Sequence, residues 1–406
     1  MIGKVRIYDG PLFVLAAIAT GVGLVFIFDA GYARSLLLGN GAIPREFRTQ
    51  LMFVPVALLA GALASRIGSD TWRTFSKLLW VATLVALVAP MMPGIGIERN
   101  GAHRWIGIGP FEVQPAEFAK LAAIVYLAGV FAGRPRWPAK TPRFKTRAQY
   151  FDSVVVPKTM RMLPAIWVLL AVVLIETEPD LGTAAVVAAT AFAMFVAGGA
   201  SRKTLLVGGL LAVVGVGVLV AQQPYRIDRI LVHRDRWSAK NLDDTAYQTV
   251  QSEMAMATGG LVGVGIGAGR AKHVLPAATT DFVTATVFEE FGLAGALAVI
   301  ALIGAFVMRL LVLAPRAATP FGSLVLVGVA SWIGIQSCVN IMMANGMLPA
   351  IGIPLPFVSS GGSSLVALWL AVGICQSMLA PQVAKEGKVA AGRHRWRNRR
   401  TRLSRA

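Results

Sequence analysis

Long apolar runs, separated by short polar or proline- and glycine-bearing stretches, dominate the chain between residues 12 and 380. Windows of about 19 residues, the length that crosses a bilayer core as a helix, place these runs at 12–30, 50–66, 78–95, 117–133, 163–178, 182–199, 204–221, 286–313, 321–344 and 363–380. The pattern predicts an all-α, polytopic membrane protein of about ten transmembrane helices. A large polar loop, 222–285, falls between the seventh and eighth runs. The chain then divides into a transmembrane domain, 1–381, and a tail, 382–406, expected to be disordered. No internal repeat of the kind that marks many secondary transporters is visible. Lys4 and Arg6 precede the first run, which reads as a retained helix and not a cleaved signal.

Composition agrees: 56% of the 406 residues are hydrophobic and only 15% charged, more apolar surface than a soluble domain buries. The net charge of +19 would by itself suggest nucleic acid, but its distribution does not. Arg134, Arg136, Lys140, Arg143, Lys145, Arg147, Lys158 and Arg161 stand against Asp152 alone in one loop. Lys385, Lys388, Arg393, Arg395, Arg397, Arg399, Arg400, Arg402 and Arg405 stand against Glu386 in the tail. Basic segments flanking membrane helices stay on the cytoplasmic side, so both regions and both termini are expected there, with the tail resting on anionic lipid. No nucleic-acid partner is implied. Cys338 and Cys375 lie inside apolar runs and read as packing residues.

The opposite face then collects the 96–116 loop, the Glu178-Pro179-Asp180 turn, the 222–285 loop and the uncharged 345–362 loop. In the last of these, Pro349, Pro354 and Pro356 forbid a regular helix. Acids near helix ends on this face are Asp29, Glu117, Glu176, Glu178, Asp180, Asp281, Glu289 and Glu290. A carboxylate at membrane depth is costly, so each needs an ion pair, a solvated helix end or a function. Asp180 reads as a helix N-cap. Asp281 follows Thr279-Thr280 and opens the eighth helix, where its carboxylate is expected to point into an outer cavity; a base placed there could take a proton from a sugar hydroxyl. The glycine run from Gly259 to Gly269 lacks the strand and the Lys-Ser/Thr ending of a P-loop. It is either a flexible linker or a close backbone approach to a lipid pyrophosphate, helped by Arg270 and Lys272.

Five segments, in order, resemble the SEDS family (shape, elongation, division and sporulation). Asn100-Gly-Ala-His-Arg104-Trp105-Ile with Gln114-Pro115-Ala-Glu117-Phe118-Ala-Lys120-Leu121 resembles its first outer loop and fourth helix. Glu178-Pro179-Asp180-Leu181-Gly182-Thr183 resembles its Q-P-D-L-G-T turn. Tyr247-Gln248 and Gln251-Ser252, with the glycine run, resemble the re-entrant part of its large loop. Leu275-Pro276 to Thr280-Asp281-Phe282, then Glu289-Glu290-Phe-Gly292, resembles L-P-E-x-H-T-D-F and its E-E-x-G sequel. Leu348-Pro349 to Phe357 and Ser359-Ser360-Gly361-Gly362-Ser363-Ser364 resembles the last outer loop.

The resemblance implies polymerisation of lipid II into peptidoglycan glycan strands on the outer face of the bacterial cytoplasmic membrane. It implies Asp281 as the essential carboxylate, the general base. Arg104 and Lys120, with loop amides, would stabilise the departing pyrophosphate. Trp105, Glu117, Gln248, Arg270, Lys272, Ser359, Gly361, Gly362 and Ser363 complete the expected substrate contacts. A divalent cation, Mg or Mn, could help neutralise the leaving group, although no metal-ligand spacing shows. The implied partners are a class B penicillin-binding protein, since no Ser-x-x-Lys transpeptidase set exists here, and other divisome or elongasome membrane proteins. Gln251-Ser252 and Gly269-Arg270-Ala-Lys272 look more like the division member than the elongation member. The chain departs from the family pattern at Thr279 for His, Ala277 for Glu, Glu178 for Gln and Ser360 for Tyr. Two readings from other classes stay open: a lipid II flippase, and a noncatalytic scaffold for the transpeptidase.

Overall fold

The computed structural model describes residues 8–37, 39, 41–99, 101–108, 111–133, 156–241 and 246–379. The basic stretch 134–155 and the tail from 380, on which the charge argument leans, lie outside the described residues.

Helices α1 (Gly10–Leu37), α2 (Arg45–Arg66), α3 (Ser69–Val88), α4 (Pro115–Ala132), α5 (Val156–Thr177), α6 (Leu181–Ala197) and α7 (Arg202–Ala221) come first. Short helices α8 (Pro224–Arg234), α9 (Tyr247–Gly259) and α10 (Ala271–Val274) follow, then α11 (Val283–Leu313), α12 (Pro320–Ala344) and α13 (Gly362–Leu379). Among the described residues, eight helices are long and apolar enough to cross a membrane, and two shorter apolar helices, Leu163–Thr177 and Leu181–Ala197, bring the apolar set to the ten that were expected. The large loop holds α8, α9 and α10, so it is structured over its described length.

Buried helices α4, α12 and α13 form the centre, and small residues let backbones touch, as membrane packing favours. A Cβ at Gly61 would lie 2.7 Å from the Trp369 carbonyl, and one at Gly373 would lie 2.0 Å from that of Gly61, which joins α2 to α13. By contrast, α7 has no buried residue. At the end of the bundle away from Asp281, the Asp9 carboxylate caps α1 through the Leu12 amide (2.9 Å) and accepts from Arg309 Nε (3.0 Å). Gln376 closes this end, donating to the Asp9 carbonyl and accepting from its amide, both at 2.8 Å.

Two features depart from the sequence reading. The segment expected as a plain loop at 96–116 is a three-stranded antiparallel sheet of β1 (Gly96–Arg99), β2 (Ala102–Ile108) and β3 (Phe111–Val113). Gly101, at φ 73°, turns the first hairpin, and Asn100-Gly101 is a strong hairpin signal that a search for apolar runs passes over. The second is a break in α11 at Gly292 (φ 62°). The break frees the carbonyls of Glu289 and Glu290 and the amides of Leu293 and Ala294. Val264 and Gly265 donate to the two carbonyls at 2.9 and 3.0 Å, and the carbonyls of Gly260 and Leu261 accept from the two amides at 2.9 and 3.1 Å. The glycine run is therefore neither a loose linker nor an open anion loop. Its close backbone approach is to the chain's own helix, where a Cβ at Gly263 would lie 2.1 Å from the Glu290 carbonyl oxygen.

Candidate active site around Asp281

The acids near helix ends sort themselves by partner. Lys272 Nζ pairs with Asp29 (2.9 Å) and Glu290 (2.7 Å). Lys120 Nζ pairs with Glu117 (2.7 Å), and Arg226 pairs with Glu176. Glu289 accepts from the amides of Arg270 (2.9 Å) and Ala271 (2.8 Å). Asp180 caps α6, taking the Thr183 amide on Oδ1 (3.0 Å), with the Thr183 hydroxyl and Gln114 Nε2 on Oδ2, both at 2.9 Å. That leaves Glu178 and Asp281, which have neither an ion pair nor an amide donor among the described residues.

Asp281 sits in the turn before α11. Phe282, not Asp281, is the N-cap position, and no side chain caps the helix there, so the expectation that Asp281 opens this helix is corrected: it is free of that structural duty. Its carboxylate lies against Gly352, where a Cβ would come within 3.6 Å of Oδ2. Burial pushes its pKa up to about 6, the Asp180 charge adds to this, and the Arg104 charge opposes it. Glu178 is buried with both carboxyl oxygens unpartnered. Burial first, and Asp180 second, raise its pKa to about 8 against the pull of Arg104. Arg104 projects from β2 and donates through Nε to the Glu178 carbonyl (2.8 Å) and through its terminal nitrogen to the Pro179 carbonyl. The sheet thus brings one cation to two carboxyl groups, Glu178 and Asp281.

Sequence reasoning missed what holds this group together. Asn340 on α12 donates from Nδ2 to the carbonyls of Asp281 (2.8 Å) and Ile353 (2.6 Å), and its Oδ1 accepts from the Thr284 hydroxyl (2.6 Å). One turn earlier, Gln336 donates to the Pro354 carbonyl (2.9 Å) and accepts from Trp332 Nε1 (2.8 Å) and Lys120 Nζ (3.0 Å). Two buried amides four residues apart in an apolar helix were the available signal.

The other expected contacts are placed as follows. Lys120 is buried, held by Glu117 and Gln336, with its ammonium 5.3 Å from the Trp332 ring centroid. Lys272 is likewise buried and paired, and the Arg270 side chain is exposed. Trp105 is partly buried on β2, opposite Ile97. Ser359 donates to the Thr280 carbonyl and accepts from the Leu355 amide (2.8 Å), which pins the last loop to the Asp281 turn. The Ser363 hydroxyl accepts from the Gln114 amide (3.0 Å) and donates to the Glu112 carbonyl (3.2 Å), tying α13 to the sheet. The Gly361 amide donates to Gln50 (3.0 Å), and Gly362 seats against Phe53. Gln248 stands apart, lining a cavity beside α8. Among the described residues, no three His, Cys, Asp or Glu side chains gather closely enough to hold a metal ion.

Against known proteins, residues 11–382 match the family of cell cycle proteins that unites FtsW, RodA and SpoVE. Stage V sporulation protein E of Bacillus subtilis is 33% identical over 371 residues, covering 90% of this chain and 95% of that one. A probable peptidoglycan glycosyltransferase FtsW of Allochromatium vinosum is 34% identical, covering 95% and 93%. Among solved structures, the rod shape determining protein RodA of Thermus thermophilus superposes with a TM-score of 0.63 at 27% identity, covering 92% of this chain and 97% of that one. A chain from a peptidoglycan synthase complex that coordinates polymerization and crosslinking gives 0.70 at 28%, covering 91% and 97%. The chain belongs to the FtsW, RodA and SpoVE family of cell cycle proteins.

Proposed function

We propose that this chain is a peptidoglycan glycosyltransferase that joins lipid II units into glycan strands at the outer face of the bacterial cytoplasmic membrane. The observation that carries the reading is the isolation of Asp281: a carboxylate beside Gly352 with, among the described residues, neither an ion pair nor a capping role. With a pKa of about 6 it is mostly ionised at neutral pH, as a general base must be. It takes the proton of the acceptor 4-hydroxyl. That oxygen bonds to the donor's anomeric carbon, and the bond from that carbon to the lipid pyrophosphate breaks, the pyrophosphate leaving with the electron pair. Arg104, whose charge reaches both Asp281 and Glu178, stabilises the negative charge that develops there. Lys120 acts at one remove, orienting Gln336 and through it the last loop.

The basic 134–161 loop and tail favour both termini in the cytoplasm, which sets the Asp281 end outside. The likeness to a complex that couples polymerization to crosslinking supports a class B penicillin-binding protein as partner, and the relatives named FtsW favour the division machinery. The carboxyl cluster lies at one end of the bundle in the turns before α6 and α11, whereas a flippase would more naturally carry its acids at mid-membrane. The test is polymerisation of purified lipid II by the purified chain, with and without the partner. Glycan chains formed by the pair support the reading, and no polymer from either preparation overturns it.

A further inference from the structure

Helix α8 follows α7 directly and is amphipathic. Ile227, Ile230 and Leu231 project together on an exposed apolar face. Arg229 and His233, four residues apart, share the other face, and Arg236 follows in the turn after the helix; all three line a cavity of about 450 Å³ with Tyr247, Gln248 and Pro276. A helix so divided, emerging from a membrane span, rests its apolar face on the lipid surface. The cavity therefore opens at headgroup level.

The wall chemistry suits an anion. Arg236 Nε pairs with Glu253 (2.6 Å), and its Nη1 donates to the His233 carbonyl (2.9 Å), which fixes the guanidinium in the cavity wall. Arg229 spends one N–H on the Ala350 carbonyl (2.7 Å) and carries a charge that no carboxylate balances among the described residues. The Nδ1 of His233 is buried with no partner. Asp228 and Asp235, the acids of this segment, do not line the cavity. Two guanidiniums against one carboxylate leave positive charge in excess, beside an imidazole whose Nδ1 has no partner, an arrangement that suits phosphate. Pro276 and Ala350 belong to the segments that carry Asp281 and Gly352, so the cavity abuts the candidate active site without containing it.

We propose that the Arg229–His233–Arg236 cavity is a second anion site, which takes the phosphate or pyrophosphate head of a membrane-embedded lipid. The source is either a polyprenyl pyrophosphate, as on the substrate, or a bulk anionic phospholipid. The test uses the full chain in phosphatidylcholine nanodiscs, titrated separately with undecaprenyl pyrophosphate and with phosphatidylglycerol, with bound lipid read by native mass spectrometry. Arg229→Gln should weaken one of the two by about tenfold or more, the size of a lost charge-assisted hydrogen bond. Arg229→Lys, which keeps the charge, should recover part of the loss. Loss confined to the pyrophosphate identifies a substrate-like ligand, and loss confined to phosphatidylglycerol identifies a structural lipid; either supports the site. Unchanged affinity for both lipids in an Arg229→Gln protein with a normal thermal transition overturns it. So does an equal loss in the Gln and Lys variants, which would mark only a packing role. The assay needs no turnover, so it stands whether or not the chain polymerises lipid II.

Discussion

Asp281 and Glu178 answer to the same two neighbours, and that makes their pH behaviour testable. Asp281 must be ionised to act as a base, so glycan polymerisation should rise with pH through about 6. Asp180 raises that pKa and Arg104 lowers it. The acidic limb of the rate profile should therefore move to lower pH in Asp180→Asn, where Asn still caps α6, and to higher pH in Arg104→Gln. Limbs that stay fixed in both variants would separate Asp281 from the rate. Glu178 bears on stability instead. Its pKa rises from 4.5 to about 8 on folding, so above 4.5 the unfolded chain gives up a proton that the folded chain keeps. The penalty grows as pH rises from 4.5 and is complete above 8. Glu178→Gln should match the parent near pH 4.5 and exceed it near pH 8.5 by on the order of 1–3 kcal/mol in unfolding measurements, less than the full shift once residual hydration is counted. Glu178 as a departure from the family's Gln was legible in the sequence. Its burial without a partner was not, because that depends on how the β2 hairpin folds over the turn.

Among the elements, the apolar helices were legible because bilayer length and hydropathy act locally. The sheet was not, since its strands span only 4, 7 and 3 residues and carry their hairpin cue in a single Asn-Gly pair. The break in α11 was hidden as well: Glu289-Glu290-Phe291-Gly292 reads as continuous helix until a distant glycine run supplies partners for the freed backbone groups. The last loop depends on a similar long-range latch. Asn340→Leu should remove three hydrogen bonds that join α12 to the Asp281 turn and to Ile353. We expect polymerisation to fall by about 10–100-fold, the scale of a small misplacement of a catalytic group, with lipid binding in the α8 cavity retained. Equal loss of activity and of folded protein would assign Asn340 to stability alone.

For the whole molecule, the activity depends on which end of the bundle faces out. Beyond the break at Gly292, α11 continues over residues 293–313, about 30 Å at the helical rise and enough by itself to cross a 30 Å hydrocarbon core. The turns from Val283 to the break, next to Asp281, are then free to sit at the membrane surface, consistent with a site that meets a lipid-linked sugar there. A reporter inserted near Asn241 should read as external and one fused after Ala406 as cytoplasmic; a cytoplasmic signal at Asn241 would reverse the active face. The most direct measurement compares Asp281→Asn with the parent chain, both with partner, on purified lipid II. Asn is nearly the same size but accepts no proton from a hydroxyl, and no helix cap is lost with it. The account predicts a folded, partner-binding protein whose polymerisation falls by about 10²–10⁴-fold, the range for a lost acid–base group. Near-parental polymer from a well-folded Asp281→Asn protein would contradict it.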